Sequence, residues 1–169
     1  MIEVAMQRFN LEVEASPFAP PLKLRPFQVG DEETWLRLQR STGVYGELED
    51  GIFRREFGED LGDRQLFLMD GSLAIATGTA WHGSPLRGSE WGRLHWVAVN
   101  PAYQRRGLGS KLCKHLLSKL RQFGFRSAFL TTGSENRVAI GLYRTLGFEP
   151  WIRSHEEALF WKAYLASHG

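Results

Sequence analysis

Hydrophobic and polar residues recur with two different periods along this chain. Runs such as Gln65–Met69 and Ser72–Trp81 are typical of strands, and the Asp70-Gly71 pair between them predicts a tight hairpin turn. From Leu108 to Phe123 the leucines instead recur every three to four residues, on one helical face. The pattern predicts a mixed sheet with hairpins in the first half of the chain and crossover helices in the second.

In chain order the pattern predicts β-α-α-β-β-β-α-β-α-β-β. The first strand, Leu22–Phe27, is expected at an edge of the sheet, because Pro26 cannot donate a ladder hydrogen bond. Asp31 is expected to cap the helix that follows. The last two strands are predicted at Phe148–Ile152 and Ala158–Leu165.

The segment before the first predicted strand is ambiguous. Alternating apolar residues in Met1–Ser16 allow either an extra strand or an arm exchanged between two copies, and a Pro-rich stretch follows. We therefore treat residues 1–21 as an N-terminal extension and 22–169 as one domain. Because an exchanged arm would join two copies of the chain, the sequence is also compatible with a homodimer.

Composition narrows the function classes. The chain has 169 residues, 43% of them hydrophobic and 24% charged, which is typical of one globular domain. A formal net charge of +2 is too small to favour nucleic acid or a membrane surface as partner. The single cysteine, Cys113, excludes an internal disulfide framework and is expected in the core, and no metal-like Cys/His spacing occurs. Without an apolar leader or a run of transmembrane length, the cytoplasm is the expected location.

The most informative stretch runs from Trp96 to Ser110. A strand ends at Asn100-Pro101, and Arg105, Arg106 and a Gly-Leu-Gly turn then lead into the long helix. Backbone N–H groups at such a turn suit a phosphate group, and the arginines add positive charge. The spacing lacks the lysine of a P-loop and the third glycine of a dinucleotide fingerprint. What remains is the pattern Q/R-x-x-G-x-G/A over Gln104–Gly109.

This pattern resembles the pyrophosphate motif of the GNAT superfamily of acyl-CoA-dependent N-acyltransferases. A second stretch, Asn136–Phe148, is similar to the family's N-x-x-A-x-x-L-Y-x-x-x-G-F signature, and the element order agrees over residues 22–165. The resemblance implies an α/β (α+β) fold with a mixed, mostly antiparallel sheet of about six to seven strands flanked by four helices. It also implies acetyl-CoA as co-substrate, and no metal.

The resemblance also assigns roles to single residues. Val97, Ala98 and Val99 are expected to pair through their backbone with the pantetheine arm, in a slot where their strand splays from its neighbour. Asn136 is expected to contact coenzyme A, and Tyr143 to lie near the thioester sulfur as general acid. The loop and helix start expected to bind the pyrophosphate comprise Arg105, Arg106, Gly107, Leu108, Gly109 and Ser110.

His95 is the candidate general base. Strand alternation places His95 on the same face of the sheet as Arg93 and Val97. Leu94 and Trp96 are expected on the opposite face. An imidazole with an ordinary pKa of about 6.5 accepts a proton near neutral pH. A histidine satisfied by its neighbours in the sheet fits the same pattern equally well.

The acceptor is expected to bind between the first two helices, the loop after Trp81 and the last hairpin. The aromatic candidates for its lining are Tyr45, Trp81, Trp91, Trp151 and Trp161.

The leading interpretation is an N-acetyltransferase that transfers an acetyl group from acetyl-CoA to a primary amine of a small molecule or peptide. Attack is expected to be direct, in a ternary complex. A non-catalytic acyl-CoA-binding or sensing module on the same fold is the alternative. A nucleic-acid-binding domain that uses Arg105 and Arg106 is the weakest reading, because the net charge supplies little of the required attraction.

Overall fold

The computed structural model describes residues 1–58, 61–83 and 87–168. The strands are β1 (Glu3–Arg8), β2 (Leu22–Pro26), β3 (Gln65–Asp70), β4 (Leu73–His82), β5 (Trp91–Val99), β6 (Ser127–Gly133) and β7 (Glu149–Trp151). The α-helices are α1 (Glu32–Ser41), α2 (Ile52–Phe57), α3 (Leu108–Gln122), α4 (Arg137–Thr145) and α5 (His155–His168). Two 3-10 turns lie at Gly62–Arg64 and Pro101–Tyr103.

The described strands form one seven-stranded sheet in the order β2-β3-β4-β5-β6-β1-β7. Every neighbouring pair is antiparallel except β5 and β6, which are parallel because α3 crosses between them. β2, which carries Pro26, lies at an edge as predicted. The predicted fold class is confirmed, with a fifth helix in place of the last predicted strand.

The N-terminal segment is a strand inside this sheet. β1 runs antiparallel between β6 and β7 of its own chain, pairing Met6 with Leu130 on one side and with Pro150 on the other. Val4, Ala5 and Met6 have no exposed surface. Residues 3–8 are therefore core of the same sheet that residues 22–151 build.

The strand predicted at Ala158–Leu165 is wrong, because this stretch belongs to α5. The Ser154 hydroxyl accepts a hydrogen bond from the backbone N–H of Glu157 at 3.1 Å, which starts the helix. Glu157, Trp161 and Tyr164 then form its buried face at helical spacing. In the described sheet β7 pairs with β1 on one side and forms the edge on the other.

Apolar side chains cover both faces of the sheet. On one face the leucines of α3, from Leu112 to Leu120, are fully buried against the sheet. On the other face α1 and α2 contribute an aromatic cluster in which Trp35 packs edge-on against Phe53 and Phe57. Asp31 precedes α1 as predicted, but its carboxylate binds Arg25 at 2.6 Å instead of a helix N–H.

Candidate active site

A β-bulge interrupts β5 in the middle of the informative stretch. Thr79 of β4 pairs with His95 and Thr77 pairs with Ala98, so Gly78 alone lies opposite two residues of β5. The extra residue is Trp96, whose φ of 50° lies in the left-handed region. The Gln39 side chain, on α1, donates a hydrogen bond of 2.8 Å to the Trp96 carbonyl and so holds the bulge.

The bulge overturns the predicted assignment of side chains to faces. His95 and Trp96 lie on the same face, where the Trp96 ring contacts Trp35 at 5.2 Å and the His95 ring contacts Phe57 at 5.7 Å. Val97 lies on the α3 side instead, with the apolar cluster built on that helix. Simple alternation gives the wrong faces here, because the extra residue moves every side chain of β5 after His95 to the face opposite the one predicted.

β5 and β6 separate at the site. Their parallel ladder pairs Trp91 with Ser127 and ends where Arg93 pairs with Phe129. Beyond that pair the edge of β5 from Leu94 to Val99 faces a gap, in which the Gln104 side chain donates a hydrogen bond of 3.0 Å to the Val99 carbonyl. The strand separation that the resemblance implies is therefore present, and its use by a pantetheine arm stays a prediction.

A cavity of ≈ 490 Å³ lies at this separation. It brings together four of the predicted site residues, which are His95, Val97, Asn136 and Tyr143. Residues 1–3 at the start of the chain also contribute to its wall.

His95 forms a pair with an acidic residue of α2. Its Nε2 lies 3.4 Å from Oε2 of Glu56, and the indole N–H of Trp96 donates to the same oxygen at 3.2 Å. Burial lowers the pKa of His95 below its ordinary 6.5, although Glu56 opposes that shift. The contact with His95 lowers the pKa of Glu56. At neutral pH the pair is therefore a neutral imidazole beside a carboxylate, ready to accept one proton.

Tyr143 lies on the buried face of α4. Its side chain is 9% exposed, and the ring packs edge-on against Phe148 at 6.0 Å. Burial raises the pKa of the phenol well above its ordinary 10. The hydroxyl therefore keeps its proton at any physiological pH and can donate it.

The basic loop lies at the other end of the gap. Arg105 and Gly107 both have left-handed backbone conformations, with φ of 61° and 73°, and the loop is exposed. α3 starts directly after Gly107, so its first N–H groups have no partner within the helix. Exposed N–H groups at a helix N-terminus, next to two arginines, suit an anionic group.

Gly109 connects this loop to the rest of the site. A Cβ at this position would lie 3.5 Å from the Val99 side chain, an ordinary contact, and 3.2 Å from Leu142 Cδ1, so the Leu142 side chain would have to shift by a few tenths of an ångström. Asn136 caps α4, since its side-chain oxygen accepts a hydrogen bond of 3.2 Å from Ala139 N–H.

Two residues that the sequence analysis singled out, Cys113 as core and Trp161 as a candidate for the acceptor pocket, both lie in the core. Cys113 is completely buried, and burial raises the pKa of its thiol to about 12, which fits a core residue and not a nucleophile. Trp161 is 1% exposed in the core. Of the five aromatic candidates, Tyr45 lines the cavity, where its ring lies 4.5 Å from that of Trp96.

Sequence reasoning missed Glu56 and Gln39. Both lie on the first two helices, far along the chain from their partner on β5: Gln39 is separated from Trp96 by 57 positions, and Glu56 is separated from Trp96 by 40. No local pattern links residues so far apart along the chain.

Comparison with known proteins identifies the family. The model of the acetyltransferase (GNAT) family matches residues 31–148. The chain belongs to this family. The resemblance noted from Gln104–Gly109 and Asn136–Phe148 is therefore confirmed.

Several GNAT relatives are named for their activities. The mycothiol acetyltransferase of Cellulomonas flavigena is 33% identical over 149 residues, which cover 79% of this chain and 42% of that protein. The chain thus spans less than half the length of this relative.

Two solved structures share the fold. The Escherichia coli ribosomal-protein-S18-alanine N-acetyltransferase superposes with a TM-score of 0.63 at 22% identity, covering 78% of this chain and 79% of the other. A diaminobutyrate acetyltransferase from Paenibacillus lautus, solved with its substrate and coenzyme A, has a TM-score of 0.63 at 19% identity, and the match covers 74% of each chain. In the part of this GNAT chain that the structure describes, none of the helices has the length and apolar character needed to span a membrane.

Proposed function

We propose that the chain catalyses transfer of an acetyl group from acetyl-CoA to a primary amine of a small molecule or peptide. One observation carries this proposal: a single cavity at the separation of β5 and β6 is lined by both His95 and Tyr143. One of these groups is poised to accept a proton and the other to donate one. The GNAT relatives are named as acetyltransferases, which supports the proposed activity.

The residues present suit acetyl-CoA as donor. The gap beside Val97–Val99 on β5 suits the extended pantetheine arm. The exposed loop from Arg105 to Ser110, with the start of α3, offers N–H groups and positive charge for a pyrophosphate. Asn136 lines the cavity. Bound acetyl-CoA would supply an activated acetyl group as a thioester.

The protein's own groups account for the remaining steps. Because Nε2 of His95 is directed at Glu56, Nδ1 is the ring nitrogen that accepts the proton that the amine loses. Glu56 stabilises the imidazolium that results. A backbone N–H on the bulged part of β5 stabilises the carbonyl oxygen as it becomes negative. The nitrogen–carbon bond forms, the carbon–sulfur bond breaks, and Tyr143 gives its proton to the departing sulfur.

The test is release of free thiol from acetyl-CoA with a panel of primary amines, with the acetylated product identified by mass spectrometry. His95→Gln should lower kcat by roughly 100-fold, as loss of a general base typically does. The matched control is His115→Gln, because His115 lies on the surface stacked against Phe18. Equal losses in both variants would contradict the role of His95.

The alternative, an acyl-CoA-binding module without catalysis, predicts a different outcome of the same experiment. Coenzyme A would bind tightly, and no amine in the panel would be acetylated. Substitutions at Arg105 would then weaken binding without any activity to lose.

A further inference from the structure

Arg93 is a charged residue of the cavity that the reaction above does not use. It lies on β5 at the last pair of the ladder with β6, and its side chain lines the cavity. Its Nη2 donates a hydrogen bond of 3.1 Å to the Thr131 hydroxyl. Its Nε is buried and has no hydrogen-bond partner among the residues that the structure describes, and the guanidinium lies 5.5 Å from the Phe129 ring centroid.

The positive charge of Arg93 has no direct counter-ion. Among residues 1–58, 61–83 and 87–168, no carboxylate oxygen lies within 4.0 Å of its guanidinium. The two nearby carboxylates have other partners: Glu3 lies 3.4 Å from Arg153, and Glu56 lies 3.4 Å from His95. A partly buried guanidinium is normally paired, because removing its charge from water is costly. An unpaired one at a cavity wall is therefore available to an anionic ligand.

The donors that Arg93 leaves free match one ligand chemistry. A guanidinium has five N–H donors in a planar fork that suits the two oxygens of a carboxylate. Arg93 and His95 are two positions apart in β5, before the bulge, so their side chains lie on the same face of the sheet. Their Cα atoms are therefore roughly 7 Å apart. An amine at His95 and a carboxylate at Arg93 can therefore belong to one small molecule.

We propose that Arg93 binds a carboxylate of the acceptor, so that the acceptor is a small amine of the amino-acid type. This inference rests on the proposed acetyl transfer. A carboxylate on the acyl group of the donor is the other source of the same chemistry. The acceptor is favoured because Arg93 lies beyond His95, on the side away from Val97–Val99 and the basic loop.

The experiment compares each of the proteinogenic amino acids with its carboxamide as acceptor, using the full chain and acetyl-CoA. For the amino acid that the wild type acetylates best, kcat/KM should be higher for the acid than for its carboxamide. Arg93→Gln should lower kcat/KM for that acid roughly tenfold to 100-fold and leave the amide unchanged, which is the usual loss when a charged hydrogen bond is removed. Arg93→Lys should restore part of the preference, because it keeps the charge and loses the fork.

The matched control is Arg87→Gln. Arg87 stacks on Trp91 and Trp151 at 3.9 and 4.2 Å from their centroids and is not part of the cavity wall. Its substitution should leave the preference for acid over amide intact. If Arg93 only braced β5 against Thr131, Arg93→Gln would lower the melting temperature and reduce turnover of acid and amide equally. That result would overturn the proposal.

Two further arms separate the remaining outcomes. Succinyl-CoA in place of acetyl-CoA tests the donor: if it is preferred, and Arg93→Gln abolishes that preference, the carboxylate belongs to the acyl group and the proposal is wrong. Calorimetric titration of the same acids and amides into the coenzyme A complex does not depend on turnover. Acid binding that requires Arg93, without turnover of any amine, would refute the proposed function and retain the carboxylate site. If amines with and without a carboxylate were turned over equally well, the proposed function would be retained and the carboxylate site would be refuted.

Discussion

Replacing Glu56 with glutamine tests how the His95 pair works. The substitution keeps the size of the side chain and its ability to accept from the Trp96 indole, but removes the negative charge 3.4 Å from His95 Nε2. Glu56 raises the pKa of His95 against the lowering effect of burial. Without the charge, the pKa of His95 should fall further below 6.5.

The size of the effect follows from the strength of the contact. A hydrogen bond to a charged group contributes about 1.5–3 kcal/mol. At 3.4 Å and with the Glu56 side chain 32% exposed, the lower end of that range applies. If the proton is about half transferred in the transition state, about half of that energy is lost from kcat, which gives a decrease of roughly threefold to fivefold.

The assay is kcat/KM for thiol release between pH 5 and pH 9 (roughly the range around an ordinary histidine pKa). Activity requires neutral His95, so it is lost as pH falls through the pKa of His95. In Glu56→Gln this acidic limb should move to lower pH, while the plateau falls. An acidic limb that stays in place, or moves to higher pH, would refute the coupling between Glu56 and His95.

Three other substitutions probe separate parts of the account. Tyr143→Phe should lower kcat roughly 100-fold with little change in KM for acetyl-CoA, as expected for loss of a general acid, and an unchanged kcat in steady-state assays would remove the tyrosine from the mechanism. Asn136→Ala removes the cap on Ala139 N–H and should lower the free energy of unfolding in urea by about 1 kcal/mol, whereas Asn136→Asp, which retains the capping oxygen, should not. Met6→Ala in the fully buried strand β1 should cost about 2–5 kcal/mol by the same measurement, and a loss typical of a surface site would show that β1 is not core.

The parts of the fold that depend on local pattern were predictable. The Asp70-Gly71 hairpin and the amphipathic helix α3 each depend on neighbouring residues, and the structure contains both of them. The basic loop and the second motif are likewise contiguous. The family could therefore be identified from sequence alone.

The parts that depend on distant pairing were not predictable. Alternation in Met1–Ser16 indicates a strand but does not say which strands it pairs with, and β1 in fact lies between β6 and β7. The residues around Trp161 form a helix that buries Glu157, Trp161 and Tyr164 at helical spacing.

The same limit applies within the site. The bulge at Trp96 exists because β4 offers one residue opposite two of β5, which only the register of both strands shows. Glu56 reaches His95 because α2 packs on that face of the sheet, a contact that no spacing along the chain encodes. His95 was a candidate general base from the sequence, whereas its acidic neighbour Glu56 became visible only in the structure.

The most direct test of the central claim is a crystal structure of the chain with coenzyme A bound. The account predicts the pantetheine arm along the edge of β5 at Val97–Val99, the pyrophosphate against Arg105–Ser110, and the sulfur within hydrogen-bond reach of the Tyr143 hydroxyl. Coenzyme A bound away from the gap between β5 and β6, or with its sulfur remote from the cavity that holds His95, would contradict it.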